Sequence, residues 1–130
     1  MWILRFVLVA CLVLGLSSCQ WPLSRAPINP EKLVGTWEIT RAAVLPAGAT
    51  ATVEFRKDGT MHLISTYRGK ILTKDGTYRV EGNSLTTTLT TTRNGVTSKE
   101  KTETDTIRIL DDTRLVVVDD QGQVDEYKRK

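Results

Sequence analysis

One histidine and two cysteines are all the imidazole and thiol groups this 130-residue chain offers for metal binding or nucleophilic attack. Cys11 lies inside an apolar N-terminal segment and is lost if that segment is cleaved, so the remaining chain holds Cys19 alone and can form no internal disulfide. His/Cys clusters of metal-ligand spacing and glycine-rich phosphate loops are absent. A hydrolytic triad would have to use His62, which alternates with Met61 and Leu63 in a strand-like run and is expected to face solvent. Asp111-Asp112 and Asp119-Asp120 stand at turns, where Asp bonds to its own backbone, and they read as turn formers rather than acid–base pairs. Neither catalysis, a metal nor a cofactor is expected. Charge of one sign is also lacking: 18 Lys and Arg meet 15 Asp and Glu. No basic stripe stands out, so nucleic acid is not an expected partner.

No apolar run is long enough for a membrane-spanning helix, which takes roughly 20 residues. The apolar run Phe6–Leu16 has 11 residues and follows a single cation, Arg5. That length and order fit the core of an export signal. The run ends in Leu16-Ser17-Ser18-Cys19. This resembles the lipobox of bacterial lipoproteins, in which a branched apolar residue and two small residues precede the modified Cys. The resemblance implies cleavage after residue 18, diacylglycerol on Cys19, and anchoring to a membrane through several acyl chains, each buried CH₂ worth about 0.8 kcal/mol. Residue 20 is Gln rather than Asp, which resembles an outer-membrane address, with the domain facing the periplasm. Removal of residues 1–18 takes away one cation and no acid, so the mature chain stays weakly basic.

Residues 19–30 contain three prolines and little periodicity and are expected to be a lipidated tether. Trp21 could sit at the lipid headgroups or fold back onto the domain. Asn29-Pro30-Glu31-Lys32-Leu33 has the form of a cap, a proline at the first helical position and one short turn. From Leu33 the chain is a series of short β-like runs: 33–42, 50–57, 60–67, 71–74, 77–81, 84–93, 97–110, 114–119 and 123–129. Asp58-Gly59, Arg68-Gly69, Asp75-Gly76, Gly82-Asn83 and Asn94-Gly95 separate several of them and suit tight hairpins. No helical period is long enough for a crossover, so neighbouring runs should pair antiparallel.

Val53 and Phe55 should share a face, as should Met61 and Leu63, Tyr78 and Val80, Leu85 and Leu89, and Ile107 and Ile109. The Thr-rich run 84–92 fits a wet outer face. The fold class expected is all-β: an antiparallel up-and-down meander of about eight strands over residues 31–130, closed into a small barrel because closure removes two bare edges. A two-sheet sandwich is the rival.

Leu33-Val34-Gly35-Thr36-Trp37 opens the first strand after a short turn and resembles the G-x-W motif of the lipocalin superfamily. The resemblance implies that Gly35 lets the chain pack closely as it enters the barrel and that Trp37 closes the floor. It also implies a basic residue from the last strand across the indole, matched here by Arg129. The segments Glu54–Thr60, Gly76–Val80 and Leu115–Val117 are similar to small lipocalin-like domains of bacterial envelope proteins, and the likeness covers most of residues 33–129. A second family motif, Thr-Asp-Tyr, is not matched, since Thr104-Asp105-Thr106 lacks the aromatic.

The fold resemblance implies a non-catalytic barrel that holds a small apolar ligand. Phe55, Met61, Leu63 and Tyr78 are the candidate ligand-binding residues. The alternative is a solid barrel acting as a structural or protein-interaction module of the envelope, with the Thr-rich strand or the apolar loop Ala42–Ala49 as its contact. Inhibition of a host enzyme is a third option that no residue demands. A void inside the barrel would favour the ligand, and a packed interior the partner.

Overall fold

A computed structural model describes residues 27–130. The expected export signal, Cys19 and Trp21 lie outside the described residues. Proline-rich chain gives way at Pro30–Leu33 to one 3₁₀ turn, capped by Asn29, whose side-chain oxygen accepts from the Glu31 amide at 3.0 Å. Nine strands follow: β1 (Gly35–Arg41), β2 (Thr50–Phe55), β3 (Thr60–Tyr67), β4 (Lys70–Glu81), β5 (Ser84–Arg93), β6 (Val96–Thr97), β7 (Lys101–Leu110), β8 (Arg114–Val118) and β9 (Val124–Arg129).

Each strand pairs antiparallel with its sequence neighbour, except that β5 pairs with β7 beyond the short arm β6. Pairing of β4 with β5 on one side and β9 with β1 on the other closes the ring, so eight strands form a barrel. A continuous ring of ladders rules out the two-sheet sandwich. The reversals follow the local chemistry. Arg68 (φ 50°) with Gly69 (φ 72°), and Asn94 (φ 51°) with Gly95 (φ 78°), hold both central residues at positive φ, as a type I′ hairpin demands. Asp58 accepts from the Thr60 amide at 2.9 Å and its hydroxyl at 2.6 Å, bonds that hold its carboxyl below the usual range.

Three sequence expectations need correction. Asp75-Gly76 is no turn: β4 runs unbroken through it for 12 residues. Gly76 is needed because a Cβ there would overlap the Thr88 carbonyl oxygen of β5. The run 97–110 is not one strand, since residues 98–100 leave the ladder between β6 and β7. Finally, Ile107 and Ile109 do not share a face. A bulge between them turns Ile109 outward at 36% exposure, leaves Ile107 fully buried, and brings Leu110 onto the core.

The core gathers at one end of the barrel, called here the floor. Leu33, Trp37, Val53, Phe55, Met61, Leu85, Ile107, Leu115 and Val117 form one contiguous cluster, against which Ile28, Leu63, Tyr78, Val80, Leu89, Leu110 and Tyr127 pack. Burying each of the larger side chains contributes roughly 1.5–3 kcal/mol. On the outside of β5, threonine hydroxyls pair across strands: Thr86 with Thr104 at 3.1 Å, Thr88 with Thr102 at 3.0 Å, and Thr92 with Thr97 at 3.0 Å. Thr87 alternates inward and is buried.

Candidate functional site: the barrel mouth

The two ends of the barrel differ in chemistry, and the difference begins with the floor. The 3₁₀ turn leaves carbonyls that no continuing helix can satisfy. Trp37 Nε1 donates to Leu33 O at 2.8 Å. Arg129 Nη1 donates to Val34 O at 2.9 Å, its Nη2 to Lys32 O, and its Nε to Asp112 O at 2.7 Å. The same guanidinium lies over the Trp37 ring, 4.2 Å from the centroid. Gly35 adopts φ 133°, a conformation that residues with a side chain rarely take, and a Cβ there would also meet Arg129 Nη1, so glycine fits the chain's entry beneath this arginine. Gly35, Trp37 and Arg129 are thus brought together and seal this end.

Phe55, Met61, Leu63 and Tyr78 stand in the layer above the floor. Phe55 and Met61 are buried in the central cluster, and Leu63 and Tyr78 pack against it. The Phe55 and Tyr78 rings meet edge to face, with centroids 5.0 Å apart. The Tyr78 hydroxyl leaves the interior to donate to Arg56 O at 2.7 Å, and burial raises the phenol pKa. Phe55 and Met61 are covered by core neighbours, and Leu63 and Tyr78 pack against the core while keeping part of their surface exposed. His62 lies on the outer face of β3, where its Nδ1 meets the carboxylate of Asp75, its cross-strand partner.

Above this layer the inward positions change character. Cross-strand partners share a face, so the pairs Leu63–Lys74, Ser65–Leu72 and Tyr67–Lys70 place Lys74, Leu72 and Lys70 on the inner wall of β4. Leu72 pairs in turn with Arg93 of β5. On the other side of the barrel, Leu85–Asp105 and Thr87–Glu103 put two carboxylates on the inner wall of β7, and Val117–Asp125 puts a third on β9. The mouth therefore has cations on β4 and β5, and on β7 and β9 three carboxylates accompanied by Lys101, which pairing with Leu89 places on the same inner face.

The acidic wall perturbs its own groups. Burial, then Glu103, then the more distant Asp119, Asp125 and Asp120 raise the Asp105 pKa to about 6. Burial also raises Asp125, against the opposing hydrogen bond from the Ala43 amide at 3.2 Å. Tyr127 stands among these carboxylates, and burial reinforced by Asp125 and Asp105 drives its phenol far above the ordinary range. Among the described residues no three His, Cys, Asp or Glu side chains are placed to hold a metal ion.

Beside the cationic wall the mouth forms a pocket of about 180 Å³, lined by Pro46, Ser65, Tyr67, Lys70, Ile71, Leu72 and Arg93. Pro46 comes from the apolar loop 42–49, which is held at one side by the bond between Ala43 and Asp125 and internally by Ala49 N donating to Pro46 O at 3.0 Å. The loop thus covers the pocket with Pro46, while Val44 stands out into solvent at 80% exposure. Phe55, Met61, Leu63 and Tyr78 are not in this lining. Sequence reasoning missed Lys70, Arg93, Tyr67 and Asp105 because a polar inner wall breaks the apolar alternation by which inward positions are recognised. The usable signal was Leu72, a lone apolar residue between Lys70 and Lys74 at spacing two.

Comparison with known proteins gives no match among curated proteins. A family model described as a lipocalin-like domain matches residues 33–117, which begins at the 3₁₀ turn and ends within β8. That span covers the G-x-W segment and most of the ring, and a barrel of this kind is a small-ligand-binding type of fold. With its closed antiparallel ring, its sealed floor and this match, the chain belongs to the lipocalin-like domain family.

Proposed function

We propose that the protein is a lipid-anchored envelope lipoprotein whose barrel captures a small ligand at its mouth and performs no catalysis. One observation supports the binding reading above the others: the floor and the layer above it are filled by side chains, while the opposite end holds a pocket of about 180 Å³ with both apolar and polar lining. The ligand's apolar part would rest on Leu72, Ile71 and Pro46. The anchor rests on Leu16-Ser17-Ser18-Cys19 at the end of the apolar run, and Gln20 favours the outer membrane, facing the periplasm.

Two experiments test the two halves. Cys19→Ser should move the protein from the membrane to the soluble fraction; retention in washed membranes contradicts the anchor. Native mass spectrometry of the delipidated domain, isolated from its own host, should show a non-covalent small-molecule adduct. A bare mass contradicts ligand capture and favours the second reading, an interaction module of the envelope. The solid lower barrel and the exposed Val44 at the loop tip support that alternative.

A further inference from the structure

We infer that the mouth pocket selects a small amphiphilic anion: an apolar body the size of one ring or a short chain, carrying a carboxylate or monophosphate that Lys70 and Arg93 receive. The inference rests on the mouth-binding reading and adds to it the charge and the size of the ligand.

The charge comes from what lines the pocket. Lys70 and Arg93 enter it from adjacent strands, two positions apart along the ladder: Lys70 lies opposite Tyr67, and Arg93 lies opposite Leu72. Neither cation makes an ion pair, although eight ion pairs link other charged side chains of the described residues. No carboxylate lines the pocket. Ser65 adds a hydroxyl able to donate to the same anion. Guanidinium and ammonium groups without a protein partner attract an anion, and the fork of Arg93 suits the two oxygens of a carboxylate or phosphate.

The acidic wall sharpens the choice. Asp105, Asp125 and Glu103 face the lumen from β7 and β9, and Glu103 already holds Lys101 at 2.5 Å. With Glu103 offset by Lys101, Asp105 and Asp125 disfavour an anion on that side, while the unpaired Lys70 and Arg93 draw it to the β4–β5 side and give the bound molecule one orientation. A cationic ligand would find its carboxylates outside the pocket, where the apolar lining does not reach.

The size comes from the volume. A cavity of roughly 150 Å³ holds a benzene ring, so the pocket's volume of about 180 Å³ takes a ring or a short chain. The pocket is open on one side, so this volume sets the part of the ligand that is enclosed. Tyr67, whose ring is itself met by Arg68 at 5.1 Å, supplies an aromatic wall for the apolar body, with Leu72 and Pro46.

The test is an NMR titration of the full mature domain with benzoate, phenyl phosphate, benzyl alcohol and benzylamine, on wild type, Lys70→Gln and Arg93→Gln. The inference expects benzoate or phenyl phosphate to shift the amides of Ser65, Tyr67, Leu72 and Arg93. Binding should fall about 3–10-fold in each variant and weaken with added salt. Both substituted residues are exposed, and neither side chain makes a hydrogen bond or ion pair within the described barrel, so unchanged spectra elsewhere will show that the fold is kept. If benzyl alcohol or benzylamine shifts the same amides as strongly as benzoate, and the variants change nothing, the anion assignment is overturned while mouth binding stands. If no probe shifts these amides, both the assignment and the mouth-binding reading fall.

Discussion

The guanidinium of Arg129, the penultimate residue, lies 4.2 Å from the centre of the Trp37 ring in the first strand while donating to three main-chain carbonyls. The contact joins the two ends of the barrel and gives the 3₁₀ turn the partners its carbonyls lack. A lysine keeps the charge but not the fork, so Arg129→Lys should cost about 2–4 kcal/mol through the bonds it cannot replace. Denaturant unfolding of the two proteins measures this. Equal midpoints would show that the arginine does not close the barrel.

Gly76 answers a different need from the turn glycines. The Thr88 carbonyl oxygen occupies the space a side chain would take, with main chain rather than a movable side chain as the obstacle. Gly76→Ala should therefore force β4 and β5 apart, cost about 1–3 kcal/mol, and speed hydrogen exchange along β5. Unaltered exchange at Thr88 and Leu89 would contradict the close approach.

The bulge in β7 separates two isoleucines that look equivalent in the sequence. Ile107→Ala should cost about 2–5 kcal/mol because it empties a fully buried site. Ile109→Ala should change stability by only about 0.5 kcal/mol, being largely on the surface. Similar costs for both would show that the bulge is misplaced.

Asp105 titrates at about 6 in the folded barrel, against about 3.9 for an unfolded Asp. Between these values the folded chain holds a proton that the unfolded chain has lost. This group's contribution to stability therefore rises as pH falls from 7 toward 4, and the charged form weakens the barrel at neutral pH. Asp105→Asn should raise the melting temperature at pH 7.5 by roughly 2–6 °C, corresponding to about 1 kcal/mol after screening by solvent. The gain should vanish near pH 4, where Asp105 is already neutral. Melting curves across that range decide the matter.

How much of this was legible in the sequence depends on the half of the barrel. The floor announced itself: Gly35, Trp37 and Arg129 are distinctive residues at the two ends of the domain, and Val53, Phe55, Met61 and Leu85 alternate cleanly on one buried face. Arg68-Gly69 and Asn94-Gly95 were readable as hairpins because both need positive φ. Gly76 was not, since a glycine that makes room for a neighbouring main chain follows Asp just as a turn glycine does. Ile109 was misplaced because a bulge shifts the phase of alternation without leaving a residue signature. The mouth was least legible. In Lys101–Thr106 both faces are polar, so nothing in the period marks Glu103 and Asp105 as lumen-facing; only pairing with Thr87 and Leu85 does.

A ligand that enters this barrel stops at the mouth. The decisive experiment is a crystal structure of the domain isolated with its ligand from its own host. The expected density is a small molecule between Tyr67, Leu72 and Arg93, beneath Pro46, with Phe55, Met61 and Tyr78 packed as described. Density threaded among Phe55, Met61 and Tyr78, or lodged against the outer threonines of β5, would contradict it.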